Sequence, residues 1–256
     1  MTEKLKTKLQ ALAEKYENTD FLLSDPSQFL RYYRNQRDAE PAAFTAALLS
    51  FGNRSLFIPK IRQIFQTADK SGGFAKWIEI GAFENDFKSP DGNEQKKFYR
   101  FYSYQDMKVL FRRLAGILQG GQTFGGYLQE KFSSAGCGND SSLWQIISES
   151  FPDCAIVPKG RNSPNKRIHM YLRWMVRRNS PVDCGWWTWY SPSKLVIPLD
   201  THVLQEAKKL GLIPQNAAAS LKTALMITEE LRQIWPEDPC KGDFALFGLG
   251  VDPEKQ

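Results

Sequence analysis

The chain reads as a succession of amphipathic helices. Leu5, Leu9, Leu12 and Tyr16 fall at i, i+4, i+7 and i+11, one apolar stripe of a helix with a 3.6-residue period. Phe44, Ala47, Leu48 and Phe51 repeat the stripe behind Asp38-Ala-Glu-Pro41, where a proline in the first turn suits a helix start. Ser103 and Asp106 have the spacing of a capping box ahead of Met107, Leu110, Phe111, Leu114 and Leu118, and Gly120-Gly121 stops that helix. Further helices are expected over 56–68, 127–132, 142–150, 164–178, 201–210, 217–234 and 243–248. Turn chemistry fills 71–73, 89–92, 120–126 and 133–142. Alternating strand patterns are scarce and no internal repeat is present. The pattern therefore predicts an all-α chain of about ten helices, divided into two helical lobes.

Composition narrows the class. With 256 residues, 42% apolar and 24% charged, the chain can bury the core of one large domain or two small ones. Its longest apolar runs, such as Ala46 to Leu49, fall far short of the roughly 18 residues a membrane span needs. Met1 to Gln10 alternates Lys with Leu and has no apolar signal-peptide region, so a cytoplasmic protein without a membrane partner is expected. Cys137, Cys154, Cys184 and Cys240 are widely spaced with no C-x-x-C, which points to reduced thiols and neither a zinc ribbon nor a redox dithiol. Only two histidines, His169 and His202, are present, too few for a three-His zinc site. Enzyme chemistry here would fall to Lys and Asp.

The net charge of +6 is concentrated. Cys154 to Arg178 holds Lys159, Arg161, Lys166, Arg167, Arg173, Arg177 and Arg178 and no acid, leaving 27 basic residues against 28 acidic ones elsewhere. Such a cluster suits a nucleic-acid backbone, because each neutralised phosphate releases counterions; a solvated helix face carries the same charge equally well. Ser163 is placed to cap a helix that Pro164 opens, with Ile168, Leu172 and Met175 as its apolar stripe. Lys166 then lies in the first turn and shares a face with Met170, Arg173 and Arg177. The turn Pro158 to Asn162 aims backbone N–H groups the same way, which makes an anion site and suits a Lys among cations to nucleophilic chemistry. A second motif, Pro198-Leu-Asp-Thr-His202, precedes a helix with Val203, Ala207 and Leu210 that ends at Gly211. Asp200 reads either as its N-cap, worth about 1 kcal/mol, or as a partner of Lys166.

A helix-opening Lys in a basic hairpin, followed by P-L-D-T-H-V before a helix, resembles the helix-hairpin-helix (HhH-GPD) DNA glycosylase superfamily. With Phe51-Gly-Asn-Arg54, Lys166 to Arg177, Asp183-x-Gly-x-Trp187 and Asp238 to Gly250, the chain resembles an uncharacterised bacterial family related to that superfamily. The spacing of 34 residues from Lys166 to Asp200 is similar to that of archaeal 8-oxoguanine DNA glycosylases. The resemblance implies two helical lobes with a central cleft, 37–150 and 1–36 plus 151–256, the second carrying the hairpin and the catalytic Asp. It implies a DNA-repair glycosylase, with or without lyase activity, that excises a damaged or oxidised purine from duplex DNA. Lys166 would be the Schiff-base nucleophile, with Lys159 as a competing candidate, and Asp200 would support bond cleavage. Lys159, Gly160, Arg161, Asn162, Ser163, Arg167, Arg173 and Arg177 would bind DNA. Asn53, Arg54, Trp186, Trp187 and Trp189 would form the base pocket or wedge. A monomer with no cofactor and no metal is implied, since the close cysteine spacing of an iron–sulfur cluster is absent. Two departures from the pattern or its function stand beside it. The hairpin has Gly160 where the superfamily shows two glycines, and a non-catalytic helix-hairpin-helix nucleic-acid-binding protein would use the same basic segment. A metabolic enzyme or scaffold using the Trp-rich region is the third reading.

Overall fold

The computed structural model describes residues 1–23, 25–135 and 142–251. Cys137 and most of the expected 133–142 turn lie outside them. The described residues are mostly helical, with twelve α-helices and a single two-stranded sheet among them. None of these helices is long and apolar enough to cross a membrane. The chain divides into an internal unit, Ser24–Pro158, and a terminal unit built from Met1–Leu23 and Lys159–Gln256.

The internal unit is organised around α2 (Gln36–Leu49), in which every residue from Ala39 to Leu49 is buried. The side chain of Asn35 caps it by accepting from Asp38 N. The helix thus begins earlier than expected, and Pro41 lies inside it, not in its first turn. Four alanines, Ala42, Ala43, Ala46 and Ala47, thin the helix so that α3 (Arg54–Asp69), α4 (Phe74–Glu79) and α7 (Phe124–Ser134) pack on it. Phe44 meets Phe124 and Phe151 with ring centroids 5.0 and 5.2 Å apart. Glu40, also buried, accepts from Gly125 N at 2.7 Å, placing a carboxylate on the positive end of α7. The expected capping box opens α6 (Tyr104–Leu118), which buries Phe111 against Trp77, Phe83 and Phe87. The short helices α4 and α5 (Phe83–Asp86) were not expected, nor was the hairpin of β1 (Lys97–Tyr99) and β2 (Tyr102–Ser103). Strands this short carry too few alternations to register as a period.

The division falls at 23/24 and 158/159, not at the expected 36/37 and 150/151. Asp25 accepts from Ser27 N to start a short 3-10 helix, Pro26–Arg31, whose Phe29 packs edge-on against Phe65. Beyond α8 (Leu143–Ser150), Ser148 Oγ donates to Pro158 O and holds the end of the segment.

In the terminal unit, α1 (Glu3–Tyr16) and α10 (Thr201–Lys209) pack on α12 (Lys241–Val251). Leu9, Leu12, Val203, Ala207, Ala245, Leu246 and Leu249 join Ala224, Ile227 and Leu231 of α11 (Leu221–Arg232) in its core. A Cβ on Gly248 would lie 2.2 Å from the Tyr16 ring, so glycine there is what permits the approach of α1 to α12. Cys240 is a buried thiol whose value burial pushes well up.

Candidate nucleic-acid and catalytic site

Lys159, Gly160, Arg161, Asn162 and Ser163 are all exposed and form the loop ahead of α9 (Lys166–Val176). A Cβ on Gly160 would lie 2.8 Å from Ser163 Cβ, so the turn closes only because that position is glycine. Leu221 N donates to Asn162 O at 3.0 Å and ties the loop to the start of α11. Helix α9 begins two residues later than expected. Asn165, buried and left-handed at φ 43°, precedes it, and Asn165 Nδ2 donates to Gly160 O at 2.9 Å. Ser163 Oγ accepts from Asn165 N and closes the loop, so it does not cap the helix. Asn165 makes no side-chain cap, and its side chain faces back into the loop. The first turn of α9 therefore keeps its partial positive charge toward the basic loop. Arg167 is half-buried in that turn.

Lys166 Nζ lies 3.5 Å from Asp200 Oδ2, and the two side chains are 30% and 17% exposed. The two oxygens of Asp200 divide the roles the sequence left open. Oδ1 accepts from Val203 N at 3.0 Å and caps α10, while Oδ2 meets the lysine. The neighbour shown for the amine is thus the Asp200 carboxylate. Behind the pair stands Asp243, in the first turn of α12 and 4% exposed. It accepts from Arg173 Nη1 on one oxygen, and its Oδ1 has no hydrogen-bond partner. Burial pushes the Asp243 carboxyl up to about 6 against the pull of Arg173; Asp200 adds to the rise and Lys166 opposes it.

The structure corrects two of the expected DNA contacts. Arg173 and Arg177 are 4% and 2% exposed, and both guanidinium groups are matched by carboxylates within the terminal unit. Arg173 pairs with Asp183 at 3.3 Å and with Asp243. Arg177 pairs with Asp183 at 2.6 Å, Glu17 at 2.8 Å and Asp238 at 2.8 Å. The Phe244 ring lies under both cations, at 4.4 and 5.2 Å. Burial opposes the charge of Arg177, yet the Asp183, Asp238 and Glu17 carboxylates hold it well above the ordinary guanidinium value. Asp183, just beyond the basic window, and the distant Glu17, Asp238 and Asp243 thus consume charge that a local reading assigns to phosphate.

The tryptophans are likewise redistributed. Trp187 is buried, edge-on to Tyr171 at 5.4 Å and stacked on Trp189 at 5.6 Å, so it belongs to the core and not to a wedge. Trp189 lines a cavity of about 600 Å³ with Glu17, Arg177, Tyr190 and Asp238, and the residues lining that cavity include neither Lys166 nor Asp200. Trp186 is half-buried. In the internal unit Asn53 caps α3, its Oδ1 accepting from Ser55 N and Oγ at 2.9 and 2.8 Å, and Arg54 faces Asp25 at 3.6 Å.

The family described as protein of unknown function (DUF2400) matches residues 25–252. The chain belongs to this family. No curated protein and no solved structure matches it. The span that matches the DUF2400 family includes Lys166, Asp200, Asp243 and the network around Arg173 and Arg177. Sequence reasoning missed Asp243, although Arg173 and Arg177 at i, i+4 on a helix with a wide apolar face were a signal that buried counterions had to exist. It also missed the hairpin tip Arg100-Phe101, for which the run Tyr99-Arg-Phe-Tyr102 behind two lysines was the available sign.

Proposed function

We propose that this protein is a DNA-repair glycosylase that excises a damaged or oxidised purine, with Lys166 as the nucleophile and Asp200 as its carboxylate partner. One observation carries the reading: an amine and a carboxylate 3.5 Å apart, both reachable by solvent, at the start of a helix preceded by an exposed basic loop. Lys159, Arg161, Arg167 and the exposed loop backbone would hold the phosphates, as the resemblance to helix-hairpin-helix glycosylases implies. The neutral amine of Lys166 forms a bond to C1′ of the sugar as the bond from C1′ to the base nitrogen breaks, and the departing base takes up, by way of Asp200, the proton that the nitrogen loses once it is bonded to C1′. Asp200 Oδ2 stabilises the positive charge that develops on the sugar and receives the proton the amine loses. Its other oxygen stays on Val203 N, which fixes the carboxylate on a rigid helix end. The buried Asp243–Arg173 pair sets the electrostatic background of that step.

Excision of 8-oxoguanine from a duplex oligonucleotide tests the reading, comparing wild type with Lys166→Gln and Asp200→Asn. Base release by wild type that both variants lose by about a hundredfold or more supports it. Duplex binding by all three proteins with no base release from any substrate carrying a damaged purine points instead to a non-catalytic binding protein.

A further inference from the structure

The internal unit carries a surface that the Lys166 chemistry does not use. The hairpin of β1 and β2 turns through Arg100, held left-handed at φ 50°, and presents Phe101 58% exposed. One face of that ring is stacked on Phe51, with centroids 5.2 Å apart and planes 29° from parallel, and Tyr102 meets it edge-on at 4.8 Å. The Arg100 guanidinium lies 5.8 Å over the Phe51 ring. Gly52, at φ +80°, leaves room for it: a Cβ there would sit 2.5 Å from Arg100 Nη1. Tyr99 Oη donates to Phe51 O, and Lys97 Nζ donates to Phe101 O at 2.8 Å, so the exposed ring is mounted on a braced turn.

The two stretches that carry this surface are basic in sequence. Residues 96–101 hold Lys96, Lys97 and Arg100, and residues 51–60 hold Arg54 and Lys60, with no acid in either stretch. The carboxylates found at these cations are Asp25 on Arg54 and Asp91 on Lys96. An outward-facing aromatic ring, braced from behind by a second ring and flanked by cations, is the combination that stacks a base and screens its phosphates.

We infer that Arg100, Phe101 and Phe51 form a stacking site for an unpaired nucleobase of a single DNA strand. The site is independent of the glycosylase reading, since it requires no chemistry at Lys166. Fluorescence anisotropy of the full chain with a short labelled oligothymidylate tests it. Phe101→Ala is expected to weaken binding by roughly tenfold or more with an unchanged thermal melt, because the ring is exposed. Phe101→Trp is expected to retain binding and to show emission quenched on saturation, relative to wild type, by the stacked base. Arg100→Ala should reduce the salt slope by about 0.7. Stacking is read on a single strand that offers no lesion to excise, so loss of base excision and loss of stacking are separable. The inference is overturned if wild type does not bind the strand, or if Phe101→Ala binds it unchanged with no quenching in Phe101→Trp. It is equally overturned if Phe101→Ala alters only the oligomeric state, which would assign the patch to a second copy of the chain.

Discussion

Arg177→Met separates a structural guanidinium from a DNA-binding one. The side chain is 2% exposed and its nitrogens meet Asp183 at 2.6 Å, Glu17 at 2.8 Å and Asp238 at 2.8 Å. Removing it leaves Asp183 and Glu17 buried without their cation, beside Asp238 on the cavity wall. Breaking a buried ion pair by deleting one partner costs about 3–5 kcal/mol, a large share of the roughly 5–15 kcal/mol that holds a domain together. With a urea dependence of about 2 kcal/mol per molar, the unfolding midpoint should fall by roughly 1.5–2.5 M. Neutralising the acids in the same background, as Arg177→Met with Asp183→Asn and Asp238→Asn, should recover part of that loss, because the penalty lies in uncompensated charge. The control is Arg161→Ala on the exposed loop. It should leave the midpoint nearly unchanged, within about 0.5 kcal/mol, while lowering the slope of log affinity for duplex DNA against log salt by about 0.9. Urea unfolding followed by circular dichroism, with salt-dependent anisotropy on the same samples, reads both quantities. An Arg177→Met protein with an unshifted midpoint and a reduced salt slope would refute the reasoning and return Arg177 to the phosphate backbone.

Two further outcomes follow from burial. The depressed value of His169, pushed down to about 4 by burial, contributes stability that is complete above about 6.5 and is lost as pH falls toward 4; urea midpoints across that window should therefore drop more steeply in wild type than in His169→Gln, by about 3 kcal/mol at the acid end. Opposite signs are expected for two helical glycines measured by thermal melting. Gly248→Ala drives a methyl against the Tyr16 ring and should cost about 1–3 kcal/mol, whereas Gly116→Ala in α6 meets nothing within 4 Å and should gain about 0.5–1 kcal/mol.

Local information was enough for most of the helices. The Ser103–Asp106 box and the stripe of Met107, Leu110, Phe111 and Leu114 specify α6 from neighbouring residues alone, and the structure places it there. The start of α9 was misread because Asn165 takes a left-handed turn to reach Gly160 O, a choice made by the loop and not by the Ser163-Pro164 pair. The Lys166–Asp200 pair was legible because each residue opens a helix and the motif around each is short. Arg173 and Arg177 were not, since beyond the nearby Asp183 the acids that neutralise them are Glu17, Asp238 and Asp243, brought to them where α1 packs on α12. Counting charges within a window of sequence treats every cation as solvated. In three dimensions Lys166, Arg173 and Arg177 of that window each meet a carboxylate.

The claim that Lys166 is the nucleophile is tested most directly by locating a trapped adduct. Wild-type protein incubated with a duplex carrying 8-oxoguanine or an abasic site is reduced with borohydride, digested, and the modified peptide sequenced by mass spectrometry. The account predicts the added sugar fragment on Lys166, with no such adduct in Lys166→Gln. An adduct on Lys159 or the amino terminus, or none at all from the wild type, would contradict it.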